Sequence, residues 1–192
     1  MTKFASLDPR NGEVIAEHEI FTKEAVDGAA KLAKSAFQTW SALSYSKRKR
    51  ILLKWREVIA KRGDEFAELI SKETGKPLGD AKLEVSITVS HIGWAAKKAG
   101  FYLKAQRRKP GLLMFNMEAT VQRVPFGVVG IIGPWNYPIF TPMGSIVYAL
   151  AAGNSVIFKP SEFTPGVGKL LEESFAQVCE IPNLFKCITG LG

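Results

Sequence analysis

The chain has 192 residues, 46% hydrophobic and 23% charged, with a formal net charge of +8. That is enough for one sizeable domain, or one domain plus an arm, of ordinary soluble globular composition. No apolar run reaches the ~18 residues of a membrane span, the MTKFASLDPRNGEV start lacks a secretory core, and two cysteines, Cys179 and Cys187, are too few for a disulfide framework. These features place the protein in the reducing cytoplasm, away from membranes. Much of the positive charge sits in KRKR at 47–50 and KAQRRK at 104–109. The first run opens a segment with Ile51, Leu52, Trp55, Val58 and Ile59 at helical spacing, so its basic residues are expected on the solvated face. No nucleic-acid motif accompanies the charge, so no nucleic-acid partner is expected; the basic balance serves to attract an anionic cofactor.

In chain order, residues from about Thr22 to Leu103 read as helical. Thr22 is an N-cap, followed by Val26, Ala29, Ala33, Phe37 and Trp40 on one face. A second helix spans about Ser46 to Arg62. A third is capped by Asp64, turns Phe66, Leu69 and Ile70 inward, and ends at Gly75 before Pro77. A fourth spans Asp80 to about Leu103, with Leu83, Ile87, Ile92 and Ala95 as its apolar residues, and Lys109-Pro110-Gly111 breaks the run.

The texture then becomes strand-like. EATVQRVP (118–125) reads as an edge or arm strand ended by Pro125. FGVVGIIG (126–133), SVIFKP (155–160) and LFKCITG (184–190) are apolar runs of the kind expected of strands buried on both faces. Helices are expected at about 143–152 and 165–179, the latter capped by Thr164 with Pro165 at its first position. Strand, helix, strand, helix, strand at this spacing means βαβ units in a parallel sheet, with ligands beyond the carboxyl ends of the strands.

Three turns lie at those ends: GPWNYP, KPSE and TGLG. The first is not a GxGxxG fingerprint, since Gly127, Gly130 and Gly133 recur every three residues within the strand; they are read as letting a neighbouring element approach. Pro134 and Pro138 stiffen the turn and hold Asn136, whose amide either caps the next helix or donates to a developing oxyanion. Trp135 is a core or pocket-wall residue. Lys159 and Glu162 either contact the ribose of a dinucleotide or are a solvated lysine and a helix-initiating carboxylate. The two glycines of TGLG could admit a nucleotide against the backbone.

The run PFGVVGIIGPWNYPIFTPMGSIVYALAAGNSVIFKPSEFTP (125–165), with PWN, AAGN and KPSExTP in this order, resembles the aldehyde dehydrogenase superfamily. ETGKP at 73–77 is similar to its N-terminal region. The resemblance covers essentially this whole chain, but only the first part of the family's longer sequence. It implies an α/β fold: a partial Rossmann-like parallel sheet of the cofactor domain at 126–192, preceded by a helical segment at 1–116 and an oligomerisation arm at 117–125, without the catalytic domain. It implies that Asn136 donates to the oxyanion formed when a cysteine attacks the aldehyde, a donor worth ~3–4 kcal/mol to the chemical step. It implies that Lys159 and Glu162 contact the adenosine ribose with Ser161 beside it, that Gly133, Pro134 and Trp135 line the cofactor, and that Gly192 lies against its adenosine side. The arm implies a homodimer or homotetramer.

The reaction so implied is NAD(P)-dependent oxidation of an aldehyde to a carboxylic acid through a cysteine thiohemiacetal. Glu162 should repel a 2′-phosphate and favour NAD, although Lys159 and Ser161 nearby leave NADP open. Neither Cys179 nor Cys187 has the context of the family's nucleophile, and both are expected to be buried, inert thiols. No metal-site spacing exists around His18 or His91. The chain alone is therefore expected to be inactive. The alternative reading is a non-enzymatic interaction or oligomerisation protein derived from the family.

Overall fold

A computed structural model describes residues 2–192, and it begins with two strands that the sequence reading did not place. Strands β1 (Lys3–Leu7) and β2 (Val14–Glu19) pair as an antiparallel hairpin. Its turn closes where the Gly12 N–H donates to the Asp8 carbonyl at 2.8 Å, with Gly12 at φ 75°.

Four helices follow: α1 (Lys23–Ser41), α2 (Tyr45–Lys61), α3 (Gly63–Thr74) and α4 (Leu78–Leu103). The Thr22 hydroxyl accepts from the Ala25 N–H at 3.3 Å and caps α1 as expected. Asp64 does not cap α3. Arg62 closes α2 and opens α3 in one residue, so Asp64 falls inside the first turn and its carboxylate pairs with Lys82 at 2.8 Å. Gly75 ends α3 at φ 74°, in the left-handed region a glycine adopts without strain.

Two expectations about helix faces are corrected. The buried stripe of α4 is Ala81, Glu84, Val85, Thr88, Ile92, Ala95 and Ala96, while Leu83 and Ile87 are exposed. The small residues let α4 lie close against α2, α3 and α5. Within KRKR, Lys47, Lys49 and Arg50 are solvated, but Arg48 is buried on the face of Leu52 and Trp55. Its guanidinium donates to the carbonyls of Leu43, Ser41 (3.4 Å) and Ala151 (3.2 Å). Those carbonyls lie at or just beyond the last turns of α1 and α5, where intrahelical donors run out. A cation can be buried there because its donors are used.

The second basic run leaves α4 and continues as a strand, with Lys104, Arg107, Arg108 and Lys109 exposed. β3 (Gln106–Arg108) pairs antiparallel with β4 (Ala119–Val121), and the segment between them carries a 3-10 turn at Leu112–Met114. At this tip Leu112, Leu113 and Phe115 are almost fully exposed, Leu113 at 95%.

The remaining elements alternate as expected: β5 (Val128–Ile132), α5 (Phe140–Ala152), β6 (Ser155–Lys159), α6 (Pro165–Ala176) and β7 (Phe185–Cys187). The three strands form one parallel sheet in the order β5-β6-β7. The fold is α/β. On one face, Ile157 packs with Ala29 and Ala33 of α1, alongside Val128 and Ile188. On the other, Val156 and Phe158 join the main core with α5, α6 and the helical layer beyond. β6 is buried on both faces, but β5 is a sheet edge, with Ile132 83% exposed. Two buried tryptophans connect the layers: Trp40 Nε1 donates to the Leu150 carbonyl and Trp55 Nε1 to the Ser174 hydroxyl, each at 2.8 Å. Among the described residues no helix is long and apolar enough to cross a membrane.

Candidate functional site at the carboxyl ends of β5 and β6

β5 ends at Ile132 and β6 at Lys159, and the Gly133 N–H donates to the Lys159 carbonyl at 3.0 Å. This bond sets the two turns side by side. A methyl group at Gly133 would stand 2.7 Å from Phe158 Cε2, so here a glycine does admit a close neighbour. Gly127 and Gly130 do not have that role, since an added Cβ at either would meet open space.

Beyond Gly133, Pro134 is partly buried, while Trp135 and Asn136 are exposed. The two diverge. Trp135 lines a cavity of about 550 Å³ together with Phe4, Leu7, Pro9, Glu162 and Leu191. Asn136 lines a separate cavity of about 550 Å³ with Asp80, Leu83, Ile87, Tyr137 and Phe140. The Asn136 carboxamide oxygen accepts from the Tyr137 N–H at 3.0 Å, a bond within the turn rather than a cap on α5. Among the described residues no protein acceptor meets its Nδ2, so the amide donor is turned to solvent.

In the second turn Lys159 Nζ lies 3.8 Å from Glu162 Oε2, and the Ser161 hydroxyl donates to the same carboxylate at 3.2 Å. The Glu162 carboxyl is held below its ordinary value chiefly by its own backbone N–H, then by the Ser161 hydroxyl and the Lys159 cation, against the opposing effect of partial burial. It is an anion at neutral pH. A Cβ at Gly192 would stand 3.3 Å from Glu162 Oε1, so the third turn closes on the same corner. Lys159, Ser161, Glu162 and Gly192 are thus gathered at one end of the sheet with Gly133 and Trp135, while Asn136 faces the adjoining cavity.

The caps of the two helices leaving these turns come from a distance. Thr164 occupies the N-cap of α6, but its hydroxyl is buried without a partner. Glu73 of α3 serves that helix instead, accepting from the N–H groups of Gly166 at 2.9 Å and Val167 at 3.1 Å. Glu84 of α4 accepts from Ile139 at 3.0 Å and Phe140 at 3.1 Å at the start of α5. Two acids from the helical layer therefore fill the positive ends of the helices behind the turns. Burial pushes the Glu73 carboxyl up from 4.5 to about 7, against the pull of the two amides and the Ser6 hydroxyl. Sequence reasoning missed both acids as site residues, although Glu73 opens the quoted ETGKP. Glu84 was hidden because, of the α4 residues singled out, only Ile92 and Ala95 lie on its buried stripe.

Both cysteines are buried and free, and burial raises both thiols, Cys187 to about 12. Neither is a ready thiolate. Among the described residues no group of three or more potential metal ligands is gathered.

The sequence profile of the aldehyde dehydrogenase family matches residues 1–192. The chain is 36% identical over 175 residues to N-succinylglutamate 5-semialdehyde dehydrogenase 1 of Caulobacter vibrioides, covering 90% of this chain and 36% of that protein. It is 35% identical over 186 residues to malonate-semialdehyde dehydrogenase of Bacillus pumilus, covering 97% and 38% respectively. The chain thus spans little more than a third of the length of these relatives. Among solved structures it is similar to PnpE in complex with nicotinamide adenine dinucleotide, with a TM-score of 0.93 and 31% identity over 100% of this chain and 39% of that one. It is equally similar to an Escherichia coli NADP-dependent enzyme, with a TM-score of 0.93 and 29% identity over 98% and 39%.

Proposed function

The chain belongs to the aldehyde dehydrogenase family, and we propose that it carries part of the cofactor site and the oxyanion donor of an NAD(P)-dependent enzyme that oxidises an aldehyde to a carboxylic acid. One observation carries this reading: neighbouring parallel strands end in turns that present a free Asn136 amide and an ionised Glu162 with Lys159 at the same end of the sheet. That end is where parallel α/β sheets bind ligands.

The residues present fit a dinucleotide. An anionic carboxylate accepts the two ribose hydroxyls, Lys159 and Ser161 add donors, and Gly192 leaves room beside Glu162. Gly133, Pro134 and Trp135 form the adjoining wall. Bound NAD supplies the hydride acceptor for the oxidation. Asn136 Nδ2 donates to the oxygen that gains charge when a thiolate adds to the aldehyde carbon. The apolar side chains beside Asn136, Leu83, Ile87 and Phe140, favour a hydrophobic aldehyde. The thiolate and the general base belong to parts of the family's length outside these residues, since Cys179 and Cys187 are buried with raised thiol pKa values. The chain alone should therefore not turn over aldehyde. The β3–β4 arm with its exposed Leu112, Leu113 and Phe115 fits a homodimer or homotetramer contact.

The cofactor preference proposed is NAD, because the Glu162 carboxylate would meet a 2′-phosphate with like charge. Glu162→Ser should tighten NADP binding relative to NAD in parallel titrations of the purified chain. An unchanged ratio would show that the carboxylate does not set the preference.

A further inference from the structure

Lys76, just beyond the end of α3, reaches three neighbours at once. Its ammonium lies 2.7 Å from Glu84 Oε2 and 2.7 Å from the Asn136 carbonyl oxygen, and 4.4 Å from the centroid of the Tyr137 ring. The other oxygen of Glu84 accepts the amides of Ile139 and Phe140. One ion pair thereby holds the turn at positions 136, 137, 139 and 140. The pair is largely withdrawn from water, with the Glu84 side chain 1% and the Lys76 side chain 16% exposed. Such a pair is not by itself a stabilising device, since desolvation offsets most of the attraction. Its contacts, however, converge on one turn. Both groups belong to the helical layer, so they brace the turn from behind while Asn136 Nδ2 is left without a protein acceptor.

We propose that Lys76 and Glu84 are positioning residues that fix the 134–140 turn so that the Asn136 amide is aimed outward at a bound ligand. The proposal rests on the oxyanion-donor reading of Asn136 given above. A preorganised donor contributes only if it is already aimed before charge develops, and gripping the backbone carbonyl at the same residue fixes the peptide plane from which that side chain projects. The carbonyl of Asn136 is the atom that Lys76 grips.

The test uses the full chain labelled uniformly with ¹⁵N, with the Asn136 side-chain amide signals identified by their loss in Asn136→Ala. In Lys76→Met these signals should shift and draw together as the side chain samples several rotamers, and the Ile139 and Phe140 amides should exchange with solvent about tenfold faster, as for a weakened charge-assisted bond. The signals of Asn154 and Asn183 should stay in place. Because Lys76→Met strands a buried carboxylate, the double variant Lys76→Met, Glu84→Gln is measured beside it; it removes both charges and should shift the same Asn136 signals with a cooperative melt. Unmoved Asn136 signals in either folded variant would overturn the proposal. Loss of cooperative melting in both would also overturn it, because the pair would then be supporting the fold rather than aiming the turn. None of these readouts requires cofactor or turnover. Failure of the cofactor-site part of the proposed function would instead appear as normal Asn136 positioning in a chain that binds no dinucleotide.

Discussion

Replacing Trp55 by alanine is expected to destabilise the chain by about 3–5 kcal/mol, the range for removing a large aromatic from a packed core. Trp55 projects from α2 and is fully buried. Its ring meets Phe175 of α6 edge-on at a centroid distance of 5.0 Å and Phe185 of β7 at 5.7 Å. It is therefore the point where the helical layer grips the far end of the sheet. The Ser174 hydroxyl left behind still donates to the Leu171 carbonyl at 2.8 Å, so most of the cost is packing rather than an orphaned polar group. Against a typical total stability of ~5–15 kcal/mol, this is a large share. Urea unfolding of Trp55→Ala and Trp94→Ala provides the comparison. Trp94 is half exposed, and its loss should cost about 1 kcal/mol or less. Equal losses would contradict the layer arrangement described.

A second large effect should appear as a pH dependence belonging to Glu73. Its carboxyl is raised to about 7 in the folded chain from an ordinary 4.5, chiefly by burial. Between those values the folded chain holds a proton that the unfolded chain has released. Stability from this group is therefore fully present below about pH 4.5 and is lost as pH rises through about 7. The shift corresponds to about 3 kcal/mol. His18 and His91 act in the opposite direction, since burial holds both below their ordinary value and stability is lost as they protonate. The wild-type profile alone thus mixes signs, and the informative quantity is the difference from Glu73→Gln. Relative to wild type, that variant should gain about 3 kcal/mol between pH 4 and pH 8 in chemical unfolding. Parallel profiles would mean that the two amides of α6 keep Glu73 ionised throughout.

The parallel sheet was legible because its strands and helices alternate at βαβ spacing and because β6 is apolar from Val156 to Phe158. The same rule misjudged β5. Its apolar run looks like a strand covered on both faces, yet Ile132 at its carboxyl end stands in the open. The β1–β2 hairpin escaped because its strands are short, mix polar with apolar residues and are half exposed, although Asn11-Gly12 is a hairpin turn signal that was present to be read. Arg48 was misplaced and Glu84 was missed for a common reason. A charged residue on the buried face of a helix is legible only when its distant partners are known, and those partners are the carbonyls of Leu43 and Ala151 and the amides of Ile139 and Phe140. In the site, the turns carrying Asn136, Lys159 and Glu162 stood out because they interrupt strands with proline. Their supports did not, because Glu73 and Glu84 act across more than fifty positions of sequence.

The most direct measurement of the central claim is a titration of the purified chain with NAD, followed by tryptophan fluorescence, alongside the double variant Lys159→Met, Glu162→Gln. Trp135 shares a cavity with Glu162 and should report occupancy. A dinucleotide site at the ends of β5 and β6 predicts saturable quenching in the wild-type chain and its loss in a double variant that still melts cooperatively. No saturable change, or the same change in both proteins, would contradict it.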